Sequence, residues 1–220
     1  MGKMYFTSFN IDRIRLISNF IAPDQTESLF HYFWQNLPWE QRENATPSGK
    51  KFLEPRQTCW YGLPYAYSQV KMDPNLNWDP KLRNLLNQVQ KYSDESSYLV
   101  LRFIMHRWLI LGPFNSVMCN LYEGAKNSID WHADDEPSLG ECPTIASVSL
   151  GTTRSFELCR RSELFTSSGK MVTNPYRERV KKPPFEGCKM LYRVFLEAGS
   201  LLIMSGFVQK HWLVRFSLFS

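Results

Sequence analysis

The sequence lacks an apolar run long enough to cross a bilayer. Its most apolar stretch, from Tyr98 to Leu111, is interrupted by Arg102, His106 and Arg107, and it is shorter than the roughly 20 residues that a transmembrane helix needs. The N-terminal residues MGKMYFTSFNIDR also lack the apolar core of a secretory signal. We therefore expect a protein of the nucleus or cytoplasm that does not associate with membranes.

Cysteine is scarce, and its spacing shows no pairs. Five cysteines in 220 residues, an odd number, argue against a disulfide framework and predict core thiols in a reducing compartment. These residues are Cys59, Cys119, Cys142, Cys159 and Cys188.

Neither sign of charge dominates the composition. Lysine and arginine outnumber aspartate and glutamate by 26 to 21, which gives a formal net charge of +5. A mildly basic chain suits a polyanionic partner such as nucleic acid but does not require one. With 43% hydrophobic residues, the chain has enough apolar mass to bury one sizeable core.

Hydrophobic spacing divides the chain into helical and strand-rich parts. An early strand is expected between Phe9 and Phe20, followed by an amphipathic helix from Asp24 to Leu37. A second helix is predicted from Pro80 to about Tyr92. After Asn115, short β-rich runs alternate with turn residues. This order predicts an α+β protein whose strands form a sandwich or jelly roll.

The most informative short motif is WHADDE, which begins at Trp131. Its His132 and Asp134 are separated by one residue, so on a strand both side chains face the same side and can reach one ion. A second histidine from elsewhere completes a triad of two histidines and one carboxylate, which leaves open positions on non-haem Fe(II). The pair alone is a weak signal, because such a spacing arises easily by chance.

The surroundings of this pair are more specific. The stretch FNSVMCNLYEGAKNSIDWHADDEPSLGECPTIASVSLGTTRSFEL resembles the core of the AlkB family of Fe(II)/2-oxoglutarate dioxygenases almost throughout. The resemblance covers most of the chain through shorter matches: PR at 55–56, YG at 61–62, YS at 67–68, AGSLLIMSG at 198–206 and QKHW at 209–212. It implies oxidative dealkylation of bases in DNA or RNA, with Fe(II) as cofactor and 2-oxoglutarate as co-substrate. The implied fold is a double-stranded β-helix, or jelly roll, with flanking N-terminal helices.

The resemblance also implies roles for particular residues. His132 and Asp134 are implied to be catalytic iron ligands, and Asn120 and Tyr122 to lie on the strand that binds 2-oxoglutarate. Glu136 is implied to lie beside the base, where a carboxylate favours cationic lesions over neutral bases. The segment RQTCWYGLPYAYS resembles the nucleotide-recognition lid, whose aromatic faces stack on a flipped base. The implied substrate-binding residues are Glu136, Tyr61, Tyr67, Trp60 and Arg56.

Basic residues near the C-terminal half are candidates for phosphate contacts if nucleic acid is the substrate. A solvated surface explains such a charge run equally well. The set comprises Arg160, Arg161, Arg177, Arg179, Lys181 and Lys182.

The C-terminal segment departs from the family pattern. Relatives read His-Trp-Leu-His followed by a basic spacer, and the second histidine is the distal iron ligand. Here the segment reads HWLV, so Val214 holds that position and the spacer is missing. Of the remaining histidines, His31, His106 and His211, we expect His211 to complete the metal triad through a shift of strand register.

The residues after Val214 resemble the start of the strand that binds 2-oxoglutarate. Arg215 and Ser217 match its first half, and a second arginine of the family pattern would fall beyond the last residue.

We expect one domain over residues 1–220, acting as a monomer. Residues 1–98 are interpreted as an N-terminal extension and nucleotide-recognition lid, and residues 113–220 as the jelly-roll core. Two other functions remain open. The altered C-terminus favours a nucleic-acid-binding protein with little or no turnover, and the same chemistry on a protein or lipid substrate is the third hypothesis.

Overall fold

A computed structural model describes residues 4–9, 12–45, 48–67, 70–93, 114–124, 127–161 and 188–217. The chain divides into two compact units, one formed by Met1–Ser28 with Gly124–Ser220 and the other by Leu29–Glu123. The expected boundaries at residues 98 and 113 lie outside the described ranges, so that division stays a prediction. No helix within these ranges is long and apolar enough to span a membrane.

Strands and helices alternate along the chain as follows. In chain order the elements are β1 (Met4–Phe9), β2 (Asp12–Ile17), α1 (Pro23–Asn36), β3 (Glu40–Ala45), β4 (Lys51–Tyr61), β5 (Tyr65–Tyr67), β6 (Val70–Met72), α2 (Pro80–Ser93), β7 (Val117–Leu121), β8 (Ile129–His132), β9 (Ile145–Val148), β10 (Arg154–Arg161), β11 (Cys188–Leu196), β12 (Leu201–Gly206), α3 (Val208–His211) and β13 (Trp212–Ser217). A 3₁₀ turn at Pro137–Leu139 lies between β8 and β9.

The first unit contains two four-stranded antiparallel sheets. One has the order β1-β2-β12-β9 and the other the order β11-β10-β13-β8. Alternate residues of their strands face a shared apolar core, as the two-residue period of a strand requires. The buried members of this core are Phe156, Leu158, Leu196, Leu202, Met204, Val208, Trp212 and Val214.

The second unit combines a three-stranded sheet, β3-β4-β7, with the β5-β6 hairpin and α2. Asp79 caps α2, because its Oδ1 accepts hydrogen bonds from the backbone nitrogens of Lys81 and Leu82 at 2.9 and 3.0 Å. Pairing of β3 with β4 is irregular between Gln41 and Glu43, opposite the segment that contains Pro55. Proline cannot donate to the ladder, so it is tolerated at such an irregularity.

The sequence predictions of secondary structure are largely confirmed. Both helices end within one residue of their expected limits, and the chain after Asn115 is rich in short strands. The four strands between the helices, β3 to β6, were not predicted. β3 reads EQRENA and is half-exposed or exposed along its length, so it carries no apolar alternation that would reveal a strand.

Candidate functional site

The two predicted iron ligands of the WHADDE motif lie close together in the first unit. His132 Nε2 is 3.9 Å from Asp134 Oδ1, and both side chains are partly exposed, at 25% and 30%. Two ligand atoms that each lie about 2.1 Å from one divalent ion are at most about 4.2 Å apart. The pair is therefore spaced to share one ion.

Asp134 is not on the strand that carries His132. β8 ends at His132, which corrects the expectation that both side chains project from one strand. The backbone nitrogen of Asp134 donates a hydrogen bond to Gln209 Oε1 at 2.9 Å. Gln209, which is 1% exposed on α3, also approaches Met204 Sδ through Nε2 at 3.8 Å. Gln209 thus holds the loop that presents Asp134, a role that the sequence motif did not reveal.

The position that the family pattern assigns to the distal iron ligand holds an apolar residue. Val214 on β13 is the cross-strand partner of His132, and directly opposed residues present their side chains on the same face of a sheet. Val214 is 1% exposed and belongs to the apolar core. The register thus places valine, not histidine, beside His132.

His211 lies on a different element from the other two candidate ligands. It lies at the end of α3, where its ring stacks on Phe207 with centroids 5.5 Å apart. Within the part of the chain that the structure describes, no group of three His, Cys, Asp or Glu side chains is arranged to hold a metal ion. His132 and Asp134 are thus two candidate ligands among the described residues, and their roles and that of His211 stay predictions.

Arg215 lies on the other side of its sheet from His132. Neighbouring residues of a strand face opposite sides, and Val214 occupies the side of His132. The Arg215 guanidinium instead lies over the ring of Trp131, 4.7 Å from its centroid. This arrangement does not bring Arg215 to the iron ligands, so its implied role with 2-oxoglutarate stays a prediction, as does that of Ser217, the last residue of β13.

A buried carboxylate engages Arg215 on that side of the sheet. Glu157 is 1% exposed; its Oε2 accepts a hydrogen bond from Arg215 Nε, and its Oε1 lies 2.6 Å from Arg193 Nη2. Burial acts to raise the pKa of the Glu157 carboxyl, but the hydrogen bonds and charges of the two arginines outweigh it and hold the pKa below its ordinary value. Among the described residues, Arg215 donates its side-chain hydrogen bond from Nε to Glu157 Oε2.

The first unit also contains Glu136 and the basic residues that were predicted to contact the substrate. Glu136 is half-buried and precedes the 3₁₀ turn, where its carbonyl accepts a hydrogen bond from Leu139 N at 2.9 Å. Arg160 lies over the ring of Trp212, 5.6 Å from the centroid. The remaining basic residues of the predicted phosphate-binding set, apart from the backbone of Arg161, lie outside the described residues: Arg177, Arg179, Lys181 and Lys182.

In the second unit, β4 and β7 gather several predicted residues on one face. Thr58 pairs with Asn120, and Trp60 pairs with Met118. Alternation along each strand places Glu54 and Arg56 of β4 on the same face as Trp60. Tyr122 lies close enough to Arg56 to interact electrostatically with its guanidinium.

Aromatic rings on this face form a continuous column. Trp60 and Tyr65 stack with centroids 4.9 Å apart, and Tyr65 and Tyr67 stack at 5.9 Å. The Arg56 guanidinium lies 5.9 Å from the centroid of the Tyr67 ring. The rings of Trp60 and Tyr65 therefore face each other, and three members of this group, Trp60, Tyr67 and Arg56, are among the residues predicted to meet a base.

Tyr61 lies on the opposite face of β4 from Trp60. It is 3% exposed and packs against Trp78, with ring centroids 5.7 Å apart. Burial, together with nearby acidic groups, raises the pKa of Tyr61 to about 12. The structure therefore does not bring Tyr61 to the aromatic column, and its role in base recognition stays a prediction.

Cysteine pairing differs in part from the expectation. Cys59, Cys119 and Cys142 are free thiols, whereas Cys159 is disulfide-bonded. The prediction of unpaired thiols is therefore wrong for Cys159, because an odd count and irregular spacing do not exclude a single disulfide. Cys59 and Cys119 are cross-strand partners on the face of Tyr61.

Comparison with known proteins identifies the superfamily of this chain. Residues 13–214 match the 2OG-Fe(II) oxygenase superfamily. Alpha-ketoglutarate-dependent dioxygenase alkB homolog 3 of Bos taurus is 38% identical over 92% of this chain and 59% of its own length. DNA oxidative demethylase ALKBH2 of Arabidopsis thaliana is 32% identical over 90% of this chain and 58% of its own length. The chain thus spans less than two thirds of the length of these relatives.

A solved structure with much lower sequence identity shares the fold. The solved structure of OsALKBH1 superposes with a TM-score of 0.58 at 14% identity, covering 98% of this chain and 88% of that one. At that identity the likeness concerns the fold alone. The matched superfamily, the similar relatives and the spaced His132–Asp134 pair lead to one conclusion. The chain belongs to the 2OG-Fe(II) oxygenase superfamily and, within it, to the AlkB family.

Proposed function

We propose that this chain is an Fe(II)/2-oxoglutarate-dependent dioxygenase that removes alkyl groups from bases in DNA or RNA. The observation that carries the proposal is the His132–Asp134 pair, whose ligand atoms are 3.9 Å apart, in a chain similar to alkB homolog 3 and ALKBH2. The names of those relatives, a dioxygenase and a DNA oxidative demethylase, support this class of reaction. The same likeness supports a double-stranded β-helix for the two sheets of the first unit.

The iron centre, when bound with 2-oxoglutarate and dioxygen, supplies the oxidation of the alkyl carbon, which leaves as formaldehyde beside succinate and carbon dioxide. His132 and Asp134 would bind the ion, and Gln209 keeps the Asp134 loop in place. Asn120 and Tyr122 would bind the co-substrate. Glu136, Arg56, Trp60 and Tyr67 would bind the base. We propose that the protein acts as a monomer in the nucleus or cytoplasm.

A second candidate function is nucleic-acid binding with little or no turnover. Val214, opposite His132, is the observation that favours it, because a valine cannot coordinate iron. The aromatic column and Arg56 include neither His132 nor Asp134, and they would still bind a base without a metal ion.

Anaerobic binding of Fe(II) and 2-oxoglutarate distinguishes the two functions. The measurement follows the metal-to-ligand absorption band in the wild-type chain, His132→Ala and His211→Ala. A band in wild type that both substitutions abolish supports the dioxygenase with His211 as third ligand. A band abolished only by His132→Ala means that another group completes the site. Absence of the band in wild type refutes the dioxygenase and favours the binding protein.

A further inference from the structure

A buried carboxylate in the second unit joins three of its strands. Glu54, on β4, is 4% exposed. Its Oε1 accepts a hydrogen bond from Asn44 Nδ2 on β3 at 3.1 Å, and its Oε2 accepts one from Tyr67 OH on β5 at 3.0 Å. Arg56 Nη2 lies 3.3 Å from the same Oε2. Because an ionised carboxylate loses its hydration when buried, these partners are what keep it stable there.

Two of these partners, Tyr67 and Arg56, are among the residues predicted to meet the base. The guanidinium of Arg56, which is 8% exposed, lies over the Tyr67 ring. Its Nε is buried and makes no hydrogen bond to the described residues. A buried N–H donor without an acceptor is costly, so a ligand that brings an acceptor to this point gains that hydrogen bond.

Only a carboxylate fits the position of Glu54. Three donor groups converge on it, from Asn44, Arg56 and Tyr67. A carboxylate offers two acceptor oxygens, whereas a glutamine amide offers one oxygen and directs an NH₂ group at the remaining donors. Burial and the charge of Glu54 both raise the pKa of Tyr67, so the Tyr67 hydroxyl remains protonated and donates.

We propose that Glu54 is a positioning residue for base recognition. It fixes the Tyr67 ring and the Arg56 guanidinium so that Arg56 Nε donates to an acceptor atom of the bound base. The inference rests on the proposed function, because it takes the ligand to be an alkylated nucleobase. Glu54 itself is expected to touch no ligand and to act through the two residues that it holds.

The test compares binding of two single-stranded oligonucleotides, one carrying a single 1-methyladenine and one unmodified, by fluorescence polarisation. Glu54→Gln should lower the affinity ratio between the two roughly tenfold. Tyr67→Phe, which removes only the hydroxyl, should lower the ratio similarly. The double variant should be no worse than the more affected single variant, because both changes break the same hydrogen bond.

Glu43→Gln is the matched control. Glu43 lies on the neighbouring strand and pairs with Lys51 at 2.6 Å, but its side chain is 53% exposed. Its substitution should leave the affinity ratio at the wild-type value, because an exposed ion pair of this kind contributes little.

The outcomes separate this inference from the proposed function. If wild type prefers the methylated oligonucleotide while Glu54→Gln and Tyr67→Phe keep that preference, or if their effects simply add, the positioning role is overturned. If wild type binds both oligonucleotides equally, base recognition itself fails and the positioning role fails with it. Circular dichroism establishes that each variant is folded, and Tyr67→Phe carries the test alone should Glu54→Gln not fold.

Discussion

Replacing Val214 by histidine is expected to give the first unit a metal site with three protein ligands. Val214 is the cross-strand partner of His132, and opposed side chains lie about 4.5–5.5 Å apart at Cβ. A histidine there reaches an ion shared by His132 and Asp134, whose ligand atoms are 3.9 Å apart. The change also destabilises the apo protein, because an imidazole replaces a side chain that is 1% exposed in an apolar core; we expect about 1–3 kcal/mol.

Thermal unfolding with and without Mn(II), a redox-stable divalent ion, separates these two effects. Metal at about 100 times its Kd stabilises the protein by about 2.7 kcal/mol, or roughly 5–10 °C in Tm for a chain of this size. Val214→His should melt below wild type without metal and gain that shift with Mn(II). Val214→Ala adds no ligand and should gain no more than wild type. Equal Mn(II) shifts in all three proteins would refute the identification of Val214 with the missing ligand position.

Three further substitutions test other parts of the two units. Glu157→Gln should reduce the fall in the free energy of unfolding at acid pH. The Glu157 carboxyl has a native pKa below its ordinary 4.5, so it stabilises the fold above that pH and loses this contribution as the pH falls through the lower native value. Urea unfolding between about pH 3 and 6 measures the effect, and an unchanged dependence of the free energy of unfolding on pH contradicts it. Gly199→Ala should lower the free energy of unfolding by about 1–3 kcal/mol, since Gly199 has φ of +81° and an added Cβ would lie 2.6 Å from the carbonyl oxygen of Ile21; equal denaturation midpoints would argue against that close approach. In an absorbance titration at alkaline pH, Tyr61→Phe should remove the component with a pKa of about 12. If that component persists in the variant, it belongs to another tyrosine.

Local patterns were sufficient to predict α1, α2 and most strands, but not the short helix α3. Pro80 at the first turn and the leucines of α2 reveal that helix without tertiary information. β3 and β4 were not predicted, because their own residues do not show the pattern of a strand. β3 is polar along its length, and Pro55 interrupts β4, so these strands depend on pairing with each other and with β7 rather than on their own composition.

The candidate site was only partly predictable because its geometry depends on contacts between distant residues. The motif and its surroundings predicted His132 and Asp134 as metal ligands, but the hydrogen bond that places Asp134 comes from Gln209, 75 residues further along the chain. The sequence marked Val214 as a departure, but only the β13–β8 register places it beside His132. The resemblance to the nucleotide-recognition lid grouped Tyr61 with Trp60, but the two are adjacent on β4 and therefore face opposite sides of it.

The segment from Gln209 to Val214 contacts both candidate metal ligands. At one end Gln209 holds the backbone of Asp134, and at the other Val214 pairs with His132. The number of residues between them is therefore constrained by two attachments that belong to the same site. An insertion or deletion here would either break the hydrogen bond to the Asp134 loop or change the residue opposite His132. The length of this segment therefore determines, together with its composition, which side chains can share one metal ion.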